Sequence, residues 1–201
     1  MISEILFAVG ICILSYFLGC FSTARVLAKT YKHLNVYKVG TGLADISNIY
    51  HNISKPLGII AAILDTFIAY IYLRILKYLI ISFGFVDISS DLMIFIFGFF
   101  IIAGHCLPLT HNFKGGRGIF IYIGLMLIFI PIHLFLILLL AGFLIFFFKQ
   151  FRFAQYMVVL LPPILCLFLP DITREMVILM AITAFLMGLL NVLVSKRLGE
   201  F

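Results

Sequence analysis

Three glycines and two basic residues are interspersed in a short segment, 114–118, that immediately precedes a long apolar run. The segment reads Lys114, Gly115, Gly116, Arg117, Gly118. Backbone N–H groups and the positive end of the following helix converge in such a loop, and the two cations add charge, which favours an anion such as phosphate. A flexible cytoplasmic loop whose basic residues fix the membrane topology would have the same composition, so both interpretations stay open at this point.

Two titratable side chains, His105 and Asp65, lie within or at the end of apolar runs. Such a group is a candidate functional residue by default, because its burial in hydrocarbon is costly unless it is used or paired. Beside segment 114–118, His105 is a candidate for proton transfer or for contact with an oxyanion. For both residues, the alternative is a structural hydrogen bond inside a helical bundle.

A second polar segment, 38–48, carries two glycines separated by one residue. Gly40 and Gly42 allow a tight turn with exposed backbone N–H groups, and Lys38 precedes them, a combination that suits phosphate. A glycine pair in a loop is more often only a turn, and Asp45 would repel an anion. This segment alone is therefore a weak indication of phosphate binding.

The elements that position these residues follow from a very apolar composition. Of 201 residues, 65% are hydrophobic and 11% are charged, against about 45–50% and about 25% in soluble domains. A soluble globule of this size would expose much of its Phe, Ile and Leu. The composition excludes a soluble enzyme, a disordered tail and a nucleic-acid-binding module, and it indicates an all-α integral membrane protein.

Charged residues divide the chain into six apolar runs, five of which have the length of one membrane-spanning helix. The run 118–148 fits one long helix or two short ones and contains Pro131. Two crossings there place Lys149 and Arg152 with most other basic residues on one side, as the positive-inside rule requires. We therefore predict about seven transmembrane helices in a single domain, residues 1–201, with the N-terminus outside and the C-terminus in the cytoplasm. The first run has no signal-peptide features and is expected to be a retained span.

Cysteine usage gives no indication of a metal centre. The cysteines are scattered through apolar runs without metal-ligand spacing: Cys12, Cys20, Cys106 and Cys166. This pattern favours buried, reduced thiols. We predict neither a metal nor a cofactor.

The order of these features resembles the bacterial membrane-bound acyl-phosphate:glycerol-3-phosphate acyltransferases over nearly the whole chain. The third motif of that family, Gly-His-x-Phe-Pro followed by Lys-Gly-Gly-Lys-Gly, is the most specific, and it corresponds to residues 104–108 and 114–118. The second, Gly-Ser-Gly-Asn-x-Gly-Ala-Thr-Asn, corresponds to residues 40–48, and the first, Gly-Ser-x-Pro, to residues 19–22. Asp65 matches an Asp in the second span of the family.

The chain departs from the family pattern at several positions. Tyr37 stands where the family usually has a phosphate-binding Arg, Leu43 where it has Asn, and Asp45 where it has Gly. In the last helix, Asn191 and Val194 align with a His and an Asn of the family.

The resemblance implies a seven-helix bundle that transfers a fatty acyl group from acyl phosphate to the 1-hydroxyl of glycerol 3-phosphate, giving lysophosphatidate for phospholipid synthesis in the cell (inner) membrane. His105 would be catalytic, and Asp65 a structural or functional intramembrane group. The residues expected to bind substrate or phosphate are Lys38, Gly40, Thr41, Gly42, Asn48, Lys114, Gly115, Gly116, Arg117 and Gly118. The implied partners are acyl phosphate, glycerol 3-phosphate and membrane lipids, without nucleic acid; the oligomeric state does not follow from the sequence.

A different class of protein would also fit part of the pattern. A small transporter, an assembly subunit or an inactive paralogue would have the same helices, an intramembrane Asp65 and basic loops. It would not explain why segment 114–118 directly follows a Gly-His-x-x-Pro sequence.

Overall fold

The computed structural model describes residues 2–170 and 172–197. Within these residues the fold contains nine α-helices and three short 3₁₀ helices. The α-helices are α1 (Ile2–Gly19), α2 (Thr23–Lys32), α3 (Ile46–Asn52), α4 (Lys55–Ser82), α5 (Asp91–Cys106), α6 (Ile119–Phe129), α7 (Pro131–Phe148), α8 (Phe151–Cys166) and α9 (Arg174–Arg197). The 3₁₀ helices are Val36–Lys38, Val86–Ser89 and Leu109–His111. The all-α prediction is confirmed for this part of the chain.

Several helices are long and apolar enough to cross a membrane. Five such segments are Glu4–Lys32, Lys55–Ser82, Asp91–His111, Pro131–Phe148 and Arg174–Leu193, and the shorter α6 and α8 are also apolar. The 11 residues of α6 extend about 16 Å, roughly half of the hydrocarbon core. The number of crossings and their orientation therefore stay predictions, and the C-terminal residues 198–201 lie outside the described residues.

The long apolar run 118–148 divides at Pro131, as the sequence predicts. α6 ends at Phe129 and α7 begins at Pro131, whose missing N–H is tolerated at the first position of a helix. α6 packs along α4, whereas α7 packs along α8. The two halves of the run thus belong to different helix pairs.

Large apolar side chains cover the outer faces of the bundle. Phe146 on α7 is 77% exposed, and Phe168, just after α8, is 80% exposed. Lipid chains solvate such surfaces, and helices satisfy their own backbone groups in hydrocarbon. The exterior therefore fits the predicted membrane environment.

α5 lies at the centre of the bundle and contacts α1, α4, α6 and α9. α1 and α5 cross at two glycines: a Cβ on Gly19 would collide with the carbonyl oxygen of Ile101, and a Cβ on Gly104 with that of Tyr16. Lipid chains are as apolar as Leu side chains, so the burial of apolar surface does not drive helices together in a membrane. Close backbone packing at small residues is therefore a main source of helix association there. The crossing lies directly before His105 and fixes its position relative to α1.

Candidate active site

His105 lies in the last turn of α5 and is only 5% exposed. α5 ends at Cys106, where the chain turns away from the helix axis. The hydroxyl of Tyr16 on α1 donates a 2.6 Å hydrogen bond to the carbonyl oxygen of Leu107. α1 therefore holds the chain on both sides of His105, at the glycine crossing before it and at Leu107 after it.

Asp65 on α4 faces His105 inside the bundle and is 3% exposed. Its Oδ2 lies 4.0 Å from His105 Nε2, and its Oδ1 accepts a 2.6 Å hydrogen bond from the hydroxyl of Thr23 at the start of α2. Asp65 Oδ2 and His105 Nδ1 are buried and have no hydrogen-bond partner among the described residues. The Thr23 bond fixes the carboxylate so that its second oxygen faces the imidazole, which makes the pair suitable for moving a proton.

Segment 114–118 packs directly against His105. The N–H of Gly116 donates a 3.0 Å hydrogen bond to the carbonyl oxygen of His105. A Cβ on Gly116 would lie 2.7 Å from His105 Nε2, and a Cβ on Gly115 would collide with the His105 carbonyl oxygen. Both glycines are required for this close packing, and the Gly116 N–H, which the sequence assigns to phosphate, already has an acceptor.

Arg117 and Lys114, the two cations of the segment, have different surroundings. Arg117 directly precedes Gly118, whose φ of 72° suits glycine at the start of α6. Its Nε lies 3.6 Å from Asp45 Oδ2, and the two side chains are 15% and 7% exposed. Lys114 lies exposed at the surface. Of the two cations of this segment, only Arg117 is directed into the protein.

Asn48 orders segment 38–48 from the inside and is fully buried. Its amide nitrogen donates to three carbonyl oxygens, those of Val36, Val39 and Leu43. Its Oδ1 accepts from the Thr41 N–H and from the Asn52 side chain. Asn48 therefore shapes the loop, and its predicted contact with substrate would require these bonds to break.

The chain makes a tight turn at Gly40 and Gly42, which have positive φ values of 57° and 70°. Its N–H groups are partly used within the loop, since that of Thr41 goes to Asn48 and that of Gly42 goes to the Val39 carbonyl at 3.1 Å. In this arrangement those two groups do not serve a phosphate. Lys38 is exposed at the end of its 3₁₀ helix, and its phosphate contact stays a prediction.

The two motif segments contact each other through the packing of Ala44 against Gly116 and through the Asp45–Arg117 ion pair. Just outside the segments, the rings of Tyr37 and His111 stack with their centroids 6.1 Å apart. Burial raises the pKa of Tyr37 above its ordinary value. The contacts bring both sequence-predicted loops to His105.

A chamber of about 20 Å³ lies between these groups. It is lined by Asp45, Asp65, His105 and Arg117, together with Ser47, Gln155, Gly118 and apolar residues. Two larger spaces adjoin it. The apolar groove, of about 430 Å³, lies between α3, α4, α6, α7 and α8. The α8–α9 groove, of about 340 Å³, includes Arg117 and Asn191. Because Ile119 and Gln155 line all three spaces, the chamber marks the place where the grooves meet.

Some residues around the chamber were not identified from the sequence. Gln155 is a lone amide in an apolar run, a signal that singles it out, whereas Thr23 at a helix start is indistinguishable from an ordinary cap. Asn191 lines the α8–α9 groove, and its Oδ1 is buried without a hydrogen-bond partner among the described residues. The side chain of Val194 is outside the described part.

The cysteines are reduced, as the sequence predicts, although Cys12 is only half-buried. The four cysteines are free thiols, and Cys20, Cys106 and Cys166 are buried. Among the described residues, no three His, Cys, Asp or Glu side chains are grouped so as to hold a metal ion. Independence from metals and cofactors stays a prediction for the activity assay.

The fold is similar to that of a solved membrane protein. The crystal structure of PlsY (YgiH), an integral membrane glycerol 3-phosphate acyltransferase, in its glycerol 3-phosphate form matches with a TM-score of 0.74 at 20% identity, covering 94% of this chain and 88% of that one. The lysophosphatidic acid form matches with a TM-score of 0.67 and the same coverage. At this identity the likeness concerns the fold, and it supports a multi-pass membrane protein.

Curated relatives carry the name glycerol-3-phosphate acyltransferase. The one from Mycoplasma mycoides subsp. mycoides is 28% identical over 116 residues, 58% of this chain and 44% of the relative. The one from Streptococcus pyogenes is 32% identical over 122 residues, 61% of this chain and 54% of the relative. The matched part thus spans about half the length of these relatives. A family profile described as glycerol-3-phosphate acyltransferase matches residues 9–197, which shows that the chain belongs to the glycerol-3-phosphate acyltransferase family.

Proposed function

We propose that the protein transfers a fatty acyl group from acyl phosphate to the 1-hydroxyl of glycerol 3-phosphate. The observation that carries this proposal is the convergence of His105, Asp65 and Arg117 on one chamber, at the junction of an apolar groove and a groove with polar residues. Family membership adds support for an acyltransferase and none for a transporter or an assembly subunit.

The chemistry requires little from the protein beyond positioning and charge. An acyl phosphate is already an activated anhydride, so direct attack by the acceptor needs no acyl-enzyme. The hydroxyl oxygen of glycerol 3-phosphate bonds to the acyl carbon, the bond from that carbon to the phosphate oxygen breaks, and inorganic phosphate leaves with the electron pair. The products are lysophosphatidate and inorganic phosphate.

His105 is the proposed acceptor of the hydroxyl proton. Its Nε2 lies beneath Gly116 and faces Asp65 Oδ2 at 4.0 Å. Asp65, held in place by Thr23, orients the imidazole and balances the charge that it gains with the proton. In this role Thr23 is a positioning residue, because it acts only through Asp65.

Arg117 and Lys114 are the proposed phosphate-binding cations. Arg117 lines both the chamber and the α8–α9 groove, so its guanidinium can form charge-assisted hydrogen bonds to a phosphate there. Lys114 and Lys38 are exposed at the surface. From that position they raise the local concentration of anionic substrates.

The apolar groove is the proposed site of the acyl chain. It is lined by aliphatic and aromatic side chains such as Ile59, Ile63 and Ile123, and it reaches the chamber at Ile119 and Phe120. An acyl chain held there would present its carbonyl carbon to His105 while burying its methylenes.

An assay with purified protein tests the proposal. Labelled glycerol 3-phosphate is supplied with acyl phosphate or with acyl-CoA, in the presence of a chelator. We expect lysophosphatidate from acyl phosphate alone, and a turnover about 10²–10⁴-fold lower for His105→Ala. His133→Ala, on α7 and not lining the chamber, is the matched control and should keep its activity.

Two results would contradict different parts of the proposal. If product never exceeds the His105→Ala background under any lipid condition, the protein is not this transferase. If product forms equally well in His105→Ala, the transferase stands and the role of His105 as proton acceptor is wrong.

A further inference from the structure

We infer that Asp45 competes with the substrate phosphate for Arg117 and thereby sets the affinity of the site for anionic substrates. The competition rests on the ion pair between the two residues, and the identity of the phosphate rests on the proposed function. Asp45 is a position at which the chain departs from the family pattern, which has Gly there.

The carboxylate of Asp45 is held in a fixed position. Asp45 is the N-cap of α3, with φ −117° and ψ 162°, and its Oδ1 accepts a 2.7 Å hydrogen bond from the N–H of Asn48. Asn48 is itself anchored by its amide bonds within the loop. Because Oδ1 accepts the hydrogen bond from Asn48, the other oxygen, Oδ2, is directed at Arg117 Nε, 3.6 Å away.

Arg117 is the cation that an incoming phosphate would need. It lines both the chamber and the α8–α9 groove, whereas Lys114 is exposed at the surface. Both partners of the ion pair are largely buried, with side chains 15% and 7% exposed. Salt therefore screens their attraction less than that of a surface pair.

A phosphate that approaches Arg117 meets a like charge at Asp45. A phosphate bound by the Arg117 guanidinium would lie close to Asp45, because Asp45 Oδ2 is 3.6 Å from Arg117 Nε and both residues line the chamber. Two anions close to one another repel, and a guanidinium that turns toward the phosphate gives up part of its attraction to the Asp45 carboxylate. Removal of the negative charge at position 45 should therefore strengthen phosphate binding.

The substitution Asp45→Asn isolates this effect. Asn is an equally good N-cap, so its side-chain oxygen can still accept from the Asn48 N–H while the charge is lost. Equilibrium dialysis with labelled glycerol 3-phosphate, and competition by inorganic phosphate, should show affinities about tenfold higher than in the unaltered protein. The tenfold estimate corresponds to about 1.4 kcal/mol, the lower end of what a hydrogen bond to a charged group contributes.

Three further variants separate the inference from simpler explanations. Asp91→Asn makes the same change in net charge at an exposed residue paired with Lys77 at 2.6 Å. The affinity of this variant for glycerol 3-phosphate and inorganic phosphate should equal that of the unaltered protein. Asp45→Ser also keeps a capping oxygen and should reproduce the Asp45→Asn result. In an Arg117→Gln background, Asp45→Asn should give no gain, because the cation for which it competes is absent.

The outcomes are distinct. Unchanged or weaker binding in Asp45→Asn and Asp45→Ser overturns the inference, since Asp45 would then orient Arg117 instead of competing for it. An equal gain in Asp91→Asn also overturns it. Binding without product overturns the proposed function alone, whereas no binding of either anion by any variant overturns both.

Discussion

Arg117 and Lys114 carry the same charge within one short segment, yet their surroundings predict different contributions to binding. Arg117→Ala should raise the KM for glycerol 3-phosphate by the equivalent of about 1.5–3 kcal/mol, the range for a hydrogen bond to a charged group. Lys114→Ala should raise it less, because an exposed charge is screened by salt.

Initial rates at low and high ionic strength test this difference. Lys149→Ala, which removes an exposed cation after α7, is the control for charge alone. Unchanged KM values in both correctly inserted variants would mean that the two cations serve only membrane topology.

The types of residue at the site could be predicted from the sequence, but their partners could not. A histidine, an intramembrane carboxylate and a glycine–cation segment are recognisable locally. The Thr23–Asp65 bond joins positions 42 residues apart, and no local pattern couples them. For the same reason Gly116 was assigned to phosphate, because what a glycine packs against depends on a distant helix end.

At the scale of elements, the α1–α5 crossing predicts a sharp difference between glycines of the bundle. Gly104→Ala should force α1 and α5 apart, since the added Cβ would collide with the Tyr16 carbonyl oxygen. We expect a clear loss of thermal stability in detergent and of activity, because His105 is the next residue. Gly10→Ala on α1 is the matched control.

Nothing lies within 4 Å of a Cβ at position 10, and Ala is favoured over Gly in a helix by about 1 kcal/mol. Gly10→Ala should therefore be neutral or stabilising. An equal loss of stability in both variants would show that the crossing is not the cause.

A buried tyrosine compensates for a proline inside α8. Pro163 has no N–H, so the Val159 carbonyl oxygen loses its usual partner within the helix. The fully buried Tyr122 donates its hydroxyl to that oxygen at 3.2 Å. Tyr122→Phe should lower the free energy of unfolding by about 1–3 kcal/mol, since a buried carbonyl is left unpaired.

A double-mutant cycle measured by unfolding in detergent checks the cause. In a Pro163→Ala background the new N–H can bond to Val159, so Tyr122→Phe should then have little effect. An equal loss of unfolding free energy in both backgrounds would mean that the Tyr122 hydroxyl does not act by replacing the missing N–H of Pro163.

The end of a helix can be predicted from the sequence where a residue type strongly favours a helix boundary. Pro131 marks the division of run 118–148 because proline lacks an N–H. The end of α1 at Gly19 and the start of α2 after Ser22 have only the weaker signals of a glycine and a capping serine, and the apolar run continues through them. The break depends on Ser22, whose hydroxyl accepts from the Arg25 N–H at 3.2 Å and donates to the distant Ala44 carbonyl at 3.3 Å.

For the whole molecule, the predicted seven-span topology places Gln150 in the cytoplasm and Ser82 outside. Both residues are exposed at helix ends, Gln150 before α8 and Ser82 at the end of α4. In a Cys12→Ala background, an impermeant thiol reagent added to intact cells should label Ser82→Cys and leave Gln150→Cys unlabelled. Labelling of Gln150→Cys from outside would mean that run 118–148 crosses once, and the seven-span topology would be wrong.

Where α1 and α5 cross, main chain lies against main chain, Gly19 on Ile101 and Gly104 on Tyr16. Main-chain atoms are the same in every residue type, so the placement of His105 does not depend on which apolar side chains surround the crossing. Apolar substitutions on lipid-facing positions can therefore accumulate without shifting it. Mutational tolerance should be very uneven, broad over the exposed faces of α1 and α7 and nearly absent at these two glycines.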